Sequence, residues 1–104
     1  MAVLRLVAAI ALLAGSMSAC GLIRPQVECE LGEGQDCTAV YEAVRAAVPL
    51  NGADRVVIGW GRGRGFHAEA HVCRPDGSYV LVDVMGDARQ ASVRESGRGD
   101  PACT

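Results

Sequence analysis

The sequence predicts an α+β fold: one helix packed on a small antiparallel sheet of three to four strands, in two layers and stapled by disulfides. Three observations predict it. An apolar stripe at helical spacing runs from Cys37 to Val48, stretches of strand character fill Arg55 to Met85, and four cysteines are spread through a small polar body. Consecutive strands joined by short turns pair antiparallel, and a lone amphipathic helix buries its stripe against one face of the sheet they form.

The helix comes first. Cys37, Val40, Tyr41, Val44, Ala47 and Val48 recur on one face, while Glu42 and Arg45 fall off it. Asp36 is placed as an N-cap, because its carboxylate can accept from the unpaired N–H groups of the first turn. Pro49 stops the helix, and Asn51-Gly52 turns the chain.

The strands follow. Arg55 to Trp60 is rich in β-branched residues and puts Val56, Ile58 and Trp60 on one side. Phe66 to Cys73 alternates, with Phe66, Ala68, Ala70 and Val72 on one side and His67, Glu69, His71 and Cys73 on the other. Tyr79 to Met85 is the most apolar run and is expected to lie centrally. Arg74-Pro75-Asp76-Gly77 supplies the turn of a hairpin between these last two, and Ala91 to Arg94 adds a short edge strand.

The chain has five cysteines, and they divide as one plus four. Cys20 ends an apolar leader, whereas Cys29, Cys37, Cys73 and Cys103 lie in the body. The leader has a single charge at Arg5, the run Leu6 to Ala14, and the small residues Gly15, Ser16, Ser18 and Ala19. That is the order of a secretory signal. A membrane span needs roughly 20 mostly apolar residues, which the leader approaches only if its glycine and serines are counted, so an uncleaved anchor is the lesser reading.

In Met17-Ser18-Ala19-Cys20 the chain resembles bacterial lipoprotein precursors, whose lipobox is an apolar-small-small-Cys motif. The resemblance covers the first 21 residues and does not extend to the body. It implies diacylglycerol on the Cys20 sulfur, removal of residues 1–19, and a body anchored to the outer face of the cell membrane or facing a periplasm. An ordinary secretory signal cut near Ser18 or Ala19 would instead leave Cys20 as an unpaired thiol. The organisation expected is therefore a signal peptide over 1–19, a lipidated cysteine and tether over 20–36, and a small α+β domain over 37–104.

Removal of the leader leaves 85 of the 104 residues, enough for one small domain. Nine arginines then face twelve acids, and the chain has no lysine. The negative balance argues against nonspecific nucleic-acid binding and leaves membrane attachment to the acyl chains. Four cysteines in a small exported domain point to two disulfides. Local proximity favours Cys29 with Cys37 and Cys73 with Cys103, with the longer-range pairings still open. No Cys-x-x-Cys pair suggests a redox or zinc site.

Two constellations could carry chemistry. His67-Ala68-Glu69-Ala70-His71 points two imidazoles and a carboxylate the same way. Residues two apart on a strand are roughly 6.5 Å apart, so all three cannot readily share one ion. A divalent metal would use Glu69 with one histidine and a ligand from a neighbouring strand such as Asp83. The alternative is a solvated strand face with Glu69 paired to a histidine.

The second is Gly59-Trp60-Gly61-Arg62-Gly63-Arg64-Gly65-Phe66. Its glycines permit positive φ, so successive N–H groups and the guanidinium groups of Arg62 and Arg64 could hold an anion, while Trp60 and Phe66 could stack on a ring or lipid tail. The alternative is a hairpin connection kept soluble by its arginines. No strand-to-helix context makes this a nucleotide-binding loop, and no serine or cysteine sits in a nucleophile motif.

The function expected is therefore that of a membrane-anchored binding module rather than an enzyme, contacting an envelope protein or an anionic ligand through Trp60, Arg62, Arg64 and Phe66, without a cofactor. A metal-dependent protein using His67, Glu69, His71 and Asp83 is the alternative. A purely structural lipoprotein is the third reading.

Overall fold

A computed structural model describes residues 24–32 and 35–104. The leader and Cys20 lie outside the described residues. Among the described residues, five strands and one helix follow in the order β1 (Gln26–Cys29), α1 (Gln35–Ala47), β2 (Arg55–Trp60), β3 (His67–Cys73), β4 (Ser78–Met85) and β5 (Gln90–Arg98), with a closing 3-10 turn over Pro101–Cys103. The fold is α+β, but its sheet differs from the expected one. It has five strands in the order β1-β2-β3-β4-β5, and it is mixed, because β1 runs parallel to β2 while every other pair is antiparallel.

The added strand falls in the segment expected to be tether. β1 pairs Gln26 with Arg55 through Cys29 with Ile58, and backbone bonds from Gln26 N to Asp54 O (3.2 Å) and Glu30 N to Ile58 O (3.0 Å) extend the ladder. Its side chains are largely exposed, so it carries no apolar alternation to read. A parallel neighbour requires a crossover, and α1 supplies it. The Cys29–Cys37 disulfide then joins the end of β1 to the start of that crossover.

α1 begins one residue before Asp36, which therefore lies inside the first turn rather than at the cap; its carboxylate instead reaches Arg89, 3.3 Å away. Val40, Val44 and Val48 are buried against Val56, Ile58, Ala68, Ala70, Val72, Val82 and Val84. The stripe is narrower than its spacing predicts, and Ala47 is exposed. The alanines of β3 leave room for the helix's valines over the middle of the sheet.

β3 is the central strand, with β4 beside it as the next interior one. The most apolar run is thus interior but not central, since the alternating β3 is covered on both faces along part of its length. The hairpin turn forms as expected, with Gly77 N donating to Arg74 O (3.0 Å) and Gly77 at φ 87°. β5 is the expected edge strand but runs to nine residues.

Among the described residues no α-helix covers the sheet's second face. The closing turn lies over one end of it, tied to β3 by the Cys73–Cys103 disulfide. Both disulfides follow the local pairing. Among the described residues no helix is long and apolar enough to cross a membrane.

Candidate functional site

On the sheet face away from α1, the pairing register puts Glu69 opposite Asp83 and His67 opposite Met85. His67 is nearly buried. Its Nδ1 lies 2.7 Å from the carbonyl oxygen of Arg62, which can only accept, so Nδ1 carries a proton. Its Nε2 lies 2.8 Å from Asp83 Oδ1. Arg94 grips Asp83 with two nitrogens, Nε at 2.9 Å from Oδ2 and Nη2 on Oδ1, and Nη2 also donates to Glu69 Oε1 at 2.8 Å.

Two acids and one guanidinium leave a single negative charge, and a proton on His67 cancels it. The hydrogen bond to the Arg62 carbonyl, followed by that to Asp83, accordingly raises the His67 pKa above its ordinary 6.5, against the opposing effect of burial. Donation from Arg94 holds the Asp83 carboxyl below its usual range, with His67 contributing in the same direction.

Arg94 reaches this face through a β-bulge. Leu81 pairs with Glu95 and Val82 with Val93, so Arg94 is the extra residue between them. The expectation of a short edge strand over Ala91 to Arg94 did not include this, because the cue is a break in the strand pattern: two successive charged residues, Arg94 and Glu95, directed to one side.

The Gly/Arg segment folds over His67. Gly61 N donates to His67 O at 2.8 Å, and a Cβ built on Gly61 would stand 2.5 Å from His67 Nδ1. Glycine is needed there for close approach. Gly61→Ala should therefore cost roughly 1–3 kcal/mol by overpacking, read as a lowered urea midpoint. Adding His67→Ala should recover part of that loss, and strictly additive effects would show that the ring and the loop do not touch.

Beyond that contact, Trp60 is 54% exposed and meets Phe66 edge-on at 5.4 Å between centroids. The Arg89 guanidinium covers the Phe66 ring at 3.5 Å and also bonds to Gly86 O at 2.8 Å. These contacts help hold Arg89 at its positive φ of 51°. Arg62 and Arg64 are exposed, and among the described residues neither guanidinium has an ion-pair partner.

The structure thus brings Trp60 and Phe66 together at the two ends of the loop that carries exposed Arg62 and Arg64, and His67 together with Glu69 and Asp83, whose ligand atoms lie within 4.8 Å of one another. His71 does not join them. Two residues further along β3, its Nδ1 pairs with Asp100 Oδ2 at 2.6 Å. Burial works against the Asp100 carboxylate, but bonds from His71 and from Ala102 N (2.9 Å) outweigh it and lower its pKa. Asp100 joins the face only because the disulfide returns the C-terminus to β3, a proximity with no local sequence cue.

The donor set fits a small divalent ion in one respect. A histidine whose Nδ1–H is fixed by a backbone carbonyl presents Nε2 as metal ligands do. Arg94 opposes it, since a cation could take both carboxylates only by displacing that guanidinium. As it stands, the cluster is neutralised from within. No family model matches the chain, and comparison with curated proteins and with solved structures likewise finds no match.

Proposed function

We propose that the chain is an exported lipoprotein, anchored through acylated Cys20, that binds another envelope component or an anionic ligand through the surface of Trp60, Arg62, Arg64 and Phe66 and does not transform it. The observation that carries this reading is the exposure of Trp60 on a built support. Phe66, itself braced by Arg89, packs against the indole, and Arg62 and Arg64 are exposed in the loop between the two aromatic residues. A large aromatic beside arginine is the composition of an interface anchor, and the packing of Gly61 on His67 fixes the loop before any partner arrives.

A photo-reactive side chain replacing exposed Met85, which pairs across the sheet with His67 next to Phe66, should give a discrete adduct in the native host, and Trp60→Ala should abolish it. No adduct, or adducts indifferent to Trp60 and Arg62, would defeat the binding reading. Intact mass measured with and without reduction tests the rest. It should show loss of residues 1–19, an acyl mass on Cys20, and a gain of four hydrogens on reduction of the two disulfides.

The spacing of His67, Glu69 and Asp83 supports a second reading as a metal site. On that reading zinc raises the melting temperature and Arg94→Ala, which unblocks both carboxylates, strengthens the effect. If Arg94 is the cation the cluster is built for, zinc leaves the melting temperature of the unmodified chain unchanged.

A further inference from the structure

A second basic site lies at the opposite end of the sheet from the Gly/Arg loop. The start of β1, the turn entering β2 and the end of β3 enclose a cavity of about 470 Å³, lined by Arg24, Arg55 and Arg74 together with Gly52, Asp54 and the Cys73–Cys103 disulfide. Three arginines line a recess walled by parts of three strands and a covalent link.

Two of the arginines have unmet hydrogen-bonding capacity. The Nε atoms of Arg55 and Arg74 are buried and, among the described residues, have no hydrogen-bond partner. Buried polar atoms are rarely left so. Glu28 approaches Arg55 Nε only to 3.6 Å and is largely exposed, and among the described residues the Arg74 guanidinium makes one hydrogen bond, to Pro49 O, long at 3.4 Å. The acid in the wall, Asp54, is turned to local use. Its Oδ2 accepts from Asn51 N at 2.8 Å and closes the turn before β2. The recess therefore presents more positive than negative charge and has donors to spare.

We propose that this cavity binds a phosphate group, with Arg24, Arg55 and Arg74 as its ligands. Phosphate oxygens accept paired N–H donors in the fork geometry that arginine presents, which an isolated chloride cannot exploit. The phosphate could belong to a lipid headgroup or be free in solution. The lipid source rests on the anchoring proposed above: Arg24 is four residues from Cys20, so the tether would keep this end of the sheet within about 14 Å of an acylated cysteine.

The test uses the mature chain purified from its host in detergent. Inorganic phosphate should raise its melting temperature, with sodium chloride at equal ionic strength as the blank. A response to phosphate identifies a free ligand. A response only to vesicles containing phosphatidylglycerol, and not to pure phosphatidylcholine, identifies the lipid. Either result supports the site if Arg24→Gln and Arg55→Gln each weaken apparent affinity by about tenfold or more while Arg45→Gln, exposed on α1 and paired only with Glu42, leaves it unchanged.

Arg24 is exposed, so its variant remains informative if Arg55→Gln fails to fold. An unacylated Cys20→Ser chain that still binds free phosphate separates this site from the anchoring reading. No response to either probe, or a response that survives Arg24→Gln and Arg55→Gln, overturns the proposal.

Discussion

Replacing Cys73 and Cys103 together by serine should destabilise the domain by about 3.5 kcal/mol, against about 2.5 kcal/mol for the Cys29 and Cys37 pair. The difference follows from the separations, 30 residues for the first bridge and 8 for the second, because the longer closure removes more freedom from the unfolded chain. The native side adds to it. Cys73 is buried at the end of β3, and its bridge holds the closing turn whose Asp100 pairs with His71. A domain of this size has a total stability of only about 5–15 kcal/mol, so loss of both bridges should leave it largely unfolded at 37 °C. Urea unfolding of the two double variants, compared with the reduced parent, measures this. An equal or larger loss from the Cys29 and Cys37 pair would show that loop closure does not set the order.

The strands legible in the sequence were those whose side chains alternate between environments. β2, β3 and β4 each set buried residues against half-exposed or polar ones, and their bounds follow the pattern to within a residue. β1 was illegible because backbone bonds and a disulfide hold it at the edge while its side chains face solvent. β5 was legible for half its length, until the bulge at Arg94 shifted the alternation by one. The cluster divided similarly. His67, Glu69 and Asp83 follow from strand geometry once β3 and β4 are taken as a hairpin, whereas Arg94 depends on the bulge and Asp100 on the return of the C-terminus. The arginines of the cavity come from three separate segments, and only the assembled sheet places them together.

Asp83→Ala should cost about 2–3 kcal/mol near pH 6, since it removes hydrogen bonds to two charged groups and leaves His67 and Arg94 with Glu69 as the nearby acid. Its clearest signature is in pH dependence. In the parent, the raised His67 pKa means that this group's stabilisation is complete below the ordinary imidazole value of 6.5 and is lost as pH rises through the folded value. The lowered Asp83 pKa means that its stabilisation is present above the ordinary carboxylate value of 3.8 and is lost as pH falls through the folded value. The network therefore stabilises most between those limits.

Asp83→Ala removes the acid limb contributed by that carboxylate. The alkaline limb should weaken without vanishing, because the larger cause of the His67 shift, the Arg62 carbonyl, remains. Urea midpoints across pH 3–9, with His67 followed by proton NMR, should show its titration moving toward lower pH in the variant. Asp83→Asn, which keeps the side chain's shape and one acceptor, should fall between the two. A His67 titration unmoved by either substitution would mean that Asp83 does not hold the imidazolium, and the charge balance drawn for this face would fail with it.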